Sequence, residues 1–360
     1  MFTVGIVLCQ NKSVPVATRE RLANVRRPPT VEAVLPRLTP TPLPPVASSA
    51  GEPMAIRDVL APATRRMRRT VAPGWRVRRA WAWDRADQHD RDWWPQGITG
   101  PSDAGRTATA RPRELHLVSW YSKRGEGVRI TFLDRATRHY AHVPLALPGG
   151  DGSLSPLRVH AGGIVWRGPW LYVAATMRGC YVAHLDDLRR RPSGEPIWPV
   201  RLRYSATDGM RYSFISATAG PRDGEGELLA GEYGGPAKTH RLARFAFEPS
   251  GLLRLGTDGD ATALAVDAGV PSMQGAAWTG GRYLLMVSRG RRRPGDLWDG
   301  PAGRLRRHSF AAPPGPEDVS WDGRLLWSVT EFPGRRWLVA LRPPRDRSDR
   351  SGRGDQDSHG

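Results

Sequence analysis

The chain of 360 residues contains little cysteine and no long apolar run. Its two cysteines, Cys9 and Cys180, fall in a predicted tail and a predicted strand, so the sequence contains no disulfide framework. No stretch reaches the ~18 consecutive apolar residues that a membrane-spanning helix needs. The fold is therefore expected to rest on a hydrophobic core, without disulfides and without a membrane span.

Lysine is almost absent from a strongly basic chain. The sequence has 54 Lys and Arg against 35 Asp and Glu, a net charge of +19, yet Lys12, Lys123 and Lys238 are its only lysines. This bias toward arginine is typical of a GC-rich genome, which weakens the case for selected binding to polyanions. A positive field attracts anions whatever its origin, but no nucleic-acid-binding module is recognisable. The sequence disfavours nucleic acid as the partner and leaves polyanion binding as a third function hypothesis.

The common catalytic motifs are missing as well. The sequence has no G-x-S-x-G, H-E-x-x-H, Walker A or paired C-x-x-C motif. Residues 2–9 are apolar but lack a basic region and a small-residue cleavage site, so they make no convincing secretion signal. Function has to be argued from the fold and from the residues that the fold brings together.

What the sequence does contain is a short phrase that recurs before apolar strands. The three strongest copies are residues 162–168, 274–280 and 317–323, and weaker copies begin at residues 95 and 212. In each strong copy a tryptophan is followed two residues later by a glycine, which suits a tight hairpin. Strand repeats at intervals of roughly 40–65 residues are typical of a β-propeller. The tryptophans Trp166, Trp278 and Trp321 are predicted to fill the wedges between blades.

The predicted architecture is an all-β propeller over residues 75–342. Short apolar strands alternate with turns in blades at about residues 94–147, 158–202, 210–256, 263–312 and from 316 onward. This counts five blades, or six if the connections 101–114 or 256–272 hide another. The last blade lacks a strand, and the alternating residues 75–83 are predicted to complete it and close the ring. The Pro- and Arg-rich residues 1–74 and the polar residues 343–360 are predicted to be disordered.

Alignment of the repeats predicts that polar residues from different blades meet at the central mouth. The equivalent positions of the five blades are Gln96, Gly162, Ser213, Gln274 and Glu317. Close to this ring lie His160 and Asp318, and a second ring includes Thr176, Glu232 and Glu331. A concave mouth with converging polar groups predicts a binding site. The alternative is that these groups satisfy backbone at strand ends or hold buried water.

Three of these residues are candidates for catalysis: His160, Glu232 and Glu317, as an acid/base set. Glu317 and Glu232 are also the candidate ligands of a divalent cation such as Ca²⁺. The candidate ligand-binding residues are Gln96, Ser213, Gln274, Asp318 and Glu331. A plainer interpretation is that Arg289 and Arg335 neutralise the acids in ordinary ion pairs.

Several strand starts resemble those of known proteins. Residues 94–99, 160–166, 315–321 and 330–336 resemble a group of uncharacterised secreted actinobacterial proteins that look like β-propellers. At a greater distance, the Pro-Gln-Gly and Pro-Glu-Asp strand starts are similar to gluconolactonase and strictosidine-synthase-like propellers. In those proteins a mouth glutamate helps to hold a divalent cation, and Glu317 is the residue that matches by position. The resemblance implies an extracytoplasmic protein.

Two main function hypotheses follow. The first is a ligand-binding or interaction scaffold that uses the mouth for a small molecule or for a protein or cell-surface partner. The second is a metal-assisted hydrolase of the lactonase or esterase kind. In that hydrolase Glu317 and Glu232 would hold the cation, and His160 would act as the general base on a water or hydroxyl.

Overall fold

The computed structural model describes residues 35–104, 114–219 and 226–344. Their strands form five antiparallel blades of four main strands each, and the first strands of neighbouring blades contact one another in a closed ring. The fold is a five-bladed β-propeller, as the repeats predicted. The described residues form no sixth blade.

A short N-terminal segment precedes the first blade. Its elements are β1 (Arg37–Pro42), a 3₁₀ turn (Ser48–Ala50), β2 (Glu52–Pro53), α1 (Ile56–Leu60), β3 (Arg65–Arg66), β4 (Arg68–Thr70), β5 (Val77–Ala82) and α2 (Arg85–His89). Asp84 caps α2, because its side chain accepts a hydrogen bond of 2.9 Å from the backbone N–H of Asp87.

The blades follow in chain order. Blade 1 comprises β6 (Trp93–Thr99), β7 (Leu115–Ser122), β8 (Val128–Asp134) and β9 (His139–Pro148). The short strand β10 (Leu154–Pro156) follows. Blade 2 comprises β11 (Ile164–Arg167), β12 (Trp170–Ala174), β13 (Cys180–His184) and β15 (Pro196–Ala206). A 3₁₀ turn (Leu185–Asp187) and the short strand β14 (Arg189–Arg190) lie between β13 and β15. Blade 3 comprises β16 (Phe214–Ala219), β17 (Gly226–Gly231), β18 (Arg241–Ala246) and, after β19 (Ala261–Thr262), β20 (Ala265–Ala268). Blade 4 comprises β21 (Met273–Thr279), β22 (Arg282–Val287), β23 (Gly295–Gly300) and β24 (Arg306–Ala312). Blade 5 comprises β25 (Pro316–Trp321), β26 (Leu326–Thr330), β27 (Trp337–Leu341) and β5.

One buried apolar cluster lies between each pair of neighbouring blades. The repeat tryptophans sit at three of these wedges. Trp166 is fully buried between blades 1 and 2, Trp278 packs against the cluster of blades 3 and 4, and Trp321 packs against that of blades 4 and 5. Burial of apolar surface between adjacent sheets therefore holds the ring together.

The first strands approach one another closely at the axis, and glycine makes this approach possible. A Cβ on Gly275 of β21 would lie 2.8 Å from the Cα of Asp318 on β25. A Cβ on Gly163 would lie 2.3 Å from the backbone nitrogen of Ile215 on β16. Any larger residue at these positions would push neighbouring blades apart.

The N-terminal strand β5 closes the ring, as predicted. It pairs antiparallel with β27, with Trp81 opposite Leu338 and Ala80 opposite Val339. Trp81 stacks on Trp327 of β26, with ring centres 5.8 Å apart. The first and last parts of the propeller therefore share one sheet, which removes an open edge.

The predicted disorder of residues 35–74 is corrected by the structure. β1 pairs with β15 of blade 2, β3 pairs with β9 of blade 1, and β4 pairs with β5 of blade 5, so this segment wraps around the outer strands. Leu38 of β1 and Met67, between β3 and β4, are buried. Prolines are common in disordered chain, but they are also tolerated on an edge strand, which need not donate on its outer side. Residues 1–34 and 345–360 lie outside the described residues.

None of the helices in the described part of the chain has the length and apolar character needed to cross a membrane.

The crowding at the axis predicts the effect of one substitution. Gly275→Ala should lower the free energy of unfolding by about 1–3 kcal/mol, because the added methyl meets backbone that cannot move without shifting a blade. Gly150→Ala is the matched control, since its Cβ would meet nothing within 4 Å. Urea denaturation of both variants checks this. Equal stabilities of the two variants would contradict the close packing of the first strands.

Candidate active site at the propeller mouth

Side chains from all five blades line one cavity of about 520 Å³ at the mouth. Its lining residues are Gln96, His160, Gly162, Thr176, Ser213, Tyr233, Gln274, Glu317 and Glu331. The five equivalent repeat positions are all among them. Residues that are far apart in the chain therefore meet, because each blade begins its first strand at the same end of the axis.

Two glutamates of blade 5 form a hydrogen-bonded carboxyl pair in this cavity. Glu317 is buried and Glu331 is half-buried. Burial raises the pKa of Glu317, and the neighbouring charges of Glu331 and Asp318 raise it further. Burial also raises the pKa of Glu331, against the opposing influence of Gln96 and Lys123. The hydrogen bond between the two side chains raises the pKa of Glu317 and lowers that of Glu331, so it favours a proton on Glu317 over one on Glu331.

Two glutamines orient the carboxyl pair from opposite sides. The side-chain amide of Gln274 donates to Oε1 of Glu317 at 2.9 Å. The amide of Gln96 donates to Oε2 of Glu331 at 3.3 Å and to the carbonyl of Pro95 at 3.0 Å. One hydrogen-bonded row thus runs Gln274, Glu317, Glu331, Gln96, with members from blades 4, 5 and 1.

A neutral imidazole and a neutral phenol flank the pair. The His160 and Tyr121 rings lie 4.5 Å apart, and His160 is exposed to solvent. Partial loss of hydration and the charge of Lys123 lower the pKa of His160. Burial and the nearby carboxylates of Glu331 and Glu317 raise the pKa of Tyr121 to about 12. His160 is therefore neutral at pH 7 and can accept a proton or a hydrogen bond.

The backbone around the mouth is held in unusual conformations. Ala161, Thr176 and Ser272 have φ angles of 54°, 48° and 61°, in the left-handed region that non-glycine residues seldom adopt. Ala161 follows His160, and Ser272 lies two residues before Gln274. Such conformations cost about 1–3 kcal/mol each and persist where the surrounding structure imposes them, which is common at functional sites.

The structure places Asp318 below the mouth and not in its lining. Its Oδ2 accepts hydrogen bonds from the backbone N–H groups of Ile98 in blade 1 (3.1 Å) and Ile164 in blade 2 (3.2 Å). The side chain is fully buried, and burial raises its pKa. Asp318 therefore ties three first strands together, so the ligand-binding role predicted from sequence does not fit this position.

Glu232 does not join the other two predicted catalytic residues. Its carboxylate is buried and accepts hydrogen bonds from the guanidinium of Arg241 at 2.9 and 3.1 Å. It also accepts from the backbone N–H groups of Arg241 (2.9 Å) and Arg211 (3.0 Å). Although burial alone would raise its pKa, these donors lower it to about 2. Its neighbour Tyr233 lines the cavity instead, because successive residues of extended chain point to opposite sides.

Of the two predicted cation ligands, Glu317 lines the cavity, whereas Glu232 is bound by Arg241 and does not. No group of three His, Cys, Asp or Glu side chains that could hold a metal ion occurs among residues 35–104, 114–219 and 226–344. The two arginines suggested as ion-pair partners of the mouth acids bind other groups. Arg289 pairs with Asp296 at 3.2 Å, and Arg335 donates to the carbonyl of Arg291 at 3.1 Å.

Three mouth residues were not anticipated from the repeats: Tyr121, Lys123 and Tyr233. Tyr121 and Lys123 lie at or beside the turn between β7 and β8, where the repeat phrase gives no alignment. The Lys123 ammonium lies 3.2 Å from the centre of the Trp94 ring, which holds it near the mouth. The sequence feature that could indicate these mouth residues is the occurrence of aromatic and basic residues in that turn.

A second depression of about 420 Å³ continues from the mouth between blades 1 and 2. It shares His160 and Thr176 with the mouth and extends to Arg158 and Arg178. Met177 at its edge is 58% exposed. A ligand in the mouth therefore has room to extend toward two arginines.

Comparison with known proteins gives fold-level likeness only. No family model matches the sequence, and no curated protein does. A GH43 β-xylosidase/α-arabinofuranosidase from a compost metagenome is 8% identical over 77% of this chain and 97% of its own, with a TM-score of 0.37. A GH43_1 enzyme from Xanthomonas citri is 12% identical over 73% and 91%, with a TM-score of 0.36. Hydrazine synthase of Kuenenia stuttgartiensis is 12% identical over 67% and 74%, with a TM-score of 0.33.

At these scores the likeness carries no argument about function, and the propeller assignment rests on the sheet topology described above. The resemblance to gluconolactonase and strictosidine-synthase-like propellers, and to secreted actinobacterial proteins, finds no support in these comparisons. The extracytoplasmic location that it implied stays a prediction.

The shared proton predicts how stability depends on pH. A carboxyl with a raised pKa adds stability below its unfolded pKa, and that contribution is lost as the pH rises through its folded pKa. Glu317→Gln keeps the hydrogen-bonding shape but cannot ionise. As the pH rises from 5 to 8, the free energy of unfolding of this variant should therefore increase relative to that of the native protein. Urea denaturation of both proteins would show this.

Glu232→Gln provides the control of opposite sign. The lowered pKa of Glu232 adds stability above its unfolded pKa, and that stability is lost as the pH falls toward 2. This variant should be destabilised at pH 8, by about 1–3 kcal/mol, because Arg241 is left without its partner. If Glu317→Gln is destabilised at pH 8 by as much as Glu232→Gln, that result would contradict a shared proton at the mouth.

Proposed function

We propose that this protein is a hydrolase that acts at the propeller mouth, with Glu317 and Glu331 as its proton-transfer pair. The feature that supports this most directly is that Glu317 and Glu331 line one cavity as a coupled carboxyl pair, each with a raised pKa. Acids with raised pKa values that face a cleft are candidates for acid/base catalysis. The pair takes the place of the His160, Glu232 and Glu317 set suggested by sequence.

The direct hydrogen bond of the pair favours an acyl bond as the target. Glycosidases hold their two carboxyl groups about 5–9.5 Å apart, with the sugar and water between them. Carboxyl pairs in direct contact share a proton and activate a water, as in the aspartic proteases. An ester, lactone or amide carbonyl in the mouth is therefore a better fit to this site than a glycosidic bond.

The proposed step balances its protons within the pair. The Glu331 carboxylate accepts a proton from a water, whose oxygen attacks the carbonyl carbon of the substrate. Glu317 donates its proton to the leaving oxygen or nitrogen as the acyl bond breaks. One proton has then entered the pair and one has left it. Transfer across the hydrogen bond from Glu331 to Glu317 restores the resting state.

Other lining groups bind and position the substrate in this proposal. Gln96 and Gln274 hold the carboxyl groups in line, which limits the reorganisation needed during reaction. Ser213 and the neutral His160 can hydrogen-bond polar groups of the substrate. Tyr233 is 47% exposed at the rim and offers a ring face.

Binding without turnover is the second candidate function. It is supported by the polar side chains that all five blades contribute to the cavity, since this arrangement suits recognition of a small polar molecule whatever follows. A small molecule, or a group carried by a protein or cell surface, would then be the partner. Substitution of the carboxyl pair distinguishes this function from hydrolysis.

A panel of chromogenic esters, lactones and amides tests the hydrolase proposal, and it should include substrates with and without an acidic group. Glu317→Gln and Glu331→Gln should each lower kcat at least about 100-fold, since general acid/base groups contribute about 10²–10⁴. Glu195→Gln is the matched control, because Glu195 is exposed in the hairpin before β15. Its kcat should equal that of the native protein.

Absence of turnover across the panel, with a panel compound still bound by native protein, would favour the binding function. Turnover that survives both substitutions in folded protein would reject the carboxyl pair as the catalytic group.

A further inference from the structure

Three adjoining depressions lie on the face opposite the mouth, where blades 5 and 1 meet. Strand β25 begins at the mouth with Glu317, so the turn after it, which contains Asp322 and Arg324, lies at the far end of the axis. Depressions of about 520, 380 and 310 Å³ occur here. Arg78 lines all three, and Arg342 lines two, so the depressions are continuous.

Arginine dominates the lining of these depressions. The arginine patch is formed by Arg78, Arg79, Arg135, Arg138, Arg324 and Arg342. The two acids in the lining, Glu114 and Asp322, are both engaged. Glu114 pairs with Arg135 at 2.6 Å. The Asp322 carboxylate accepts from the backbone N–H of Arg324 at 2.8 Å and from Nε1 of Trp327 at 2.7 Å.

Three other arginines of the patch remain open to a ligand within the described part of the chain. Among the described residues, no carboxylate lies within ion-pair distance of Arg78, Arg79 or Arg324, and all three are exposed. Strand β4 covers the edge of β5 only as far as Ala80, opposite Thr70. Arg78 and Arg79 therefore project from an uncovered part of the closing strand.

The electrostatics of the neighbouring Arg76 show the same excess of positive charge. Burial lowers its pKa, and the charges of Arg306 and Arg342 lower it further, against the opposing charge of Asp299. Beside it, Trp75 is 61% exposed, with the Arg76 guanidinium 4.1 Å from its ring centre. Like charges held this close favour the binding of a multivalent anion.

We propose that this arginine patch binds a linear phosphate polymer through its phosphate groups. Guanidinium groups match phosphate oxygens in a two-point geometry, which lysine cannot reproduce. Three adjoining depressions that share Arg78 offer several guanidinium groups, which suits a chain with repeated charges better than one isolated anion. The surface lies away from the mouth, so the inference does not depend on the proposed hydrolase activity.

Binding of fluorescently labelled long-chain inorganic polyphosphate to the full chain tests this inference, measured over a range of NaCl concentrations. The triple variant Arg78→Gln, Arg79→Gln, Arg324→Gln should raise Kd at least about tenfold. Each phosphate that a protein neutralises adds roughly 0.7 to the slope of log Kd against log salt concentration. Loss of three arginines should therefore lower this slope by about 2. The thermal midpoint should not change, because these side chains are exposed.

Arg291→Gln, Arg292→Gln, Arg293→Gln is the matched control, since it removes the same charge from an exposed turn between β22 and β23. It should change Kd by less than about threefold. Equal weakening in both triple variants would mean that net charge alone attracts the polymer, and would overturn the proposal. Binding of single-stranded DNA but not of polyphosphate would also overturn it, because recognition would then depend on the bases.

Discussion

The close approach of the five first strands at the axis is the constraint on which the rest of the structure depends. Gly163 and Gly275 permit backbone contact there, and the buried Asp318 carboxylate joins the strands of blades 5, 1 and 2. Only this tight ring brings the strand starts near enough for Gln96, Gln274 and the glutamates to form one hydrogen-bonded row. The packing of the axis therefore determines the chemistry of the mouth.

The same ring separates two surfaces of different character. At the mouth the carboxyl pair lies among the amides of Gln96 and Gln274 and a neutral His160. On the opposite face arginines gather where the closing strand β5 leaves its edge uncovered. The proposed catalytic cavity and the proposed anion-binding patch therefore lie at opposite ends of the axis.

The repeats predicted the fold and the mouth because a tryptophan and a glycine at fixed spacing define the same point in each blade. That alignment could place Gln96, Ser213, Gln274 and Glu317 together without any coordinates. It could not place Glu232, because a shift of one residue in extended chain reverses the side on which a side chain lies. Tyr233 therefore lines the cavity, while Glu232 forms a buried ion pair with Arg241. The wrap of residues 37–70 escapes prediction because most of its strands are only two or three residues long and its prolines are typical of disordered chain.

The proposed hydrolase depends on a carboxyl pair, Glu317 and Glu331, that holds one proton at neutral pH. Infrared spectroscopy of the native protein at pH 7 measures this directly through the carbonyl stretch of a protonated carboxyl, compared with Glu317→Gln and Glu232→Gln. A loss of protonated-carboxyl intensity in Glu317→Gln, but not in Glu232→Gln, is the expected result, since the buried Asp318 contributes equally to all three spectra. Equal protonated-carboxyl intensity in the native protein and in Glu317→Gln would contradict the shared proton.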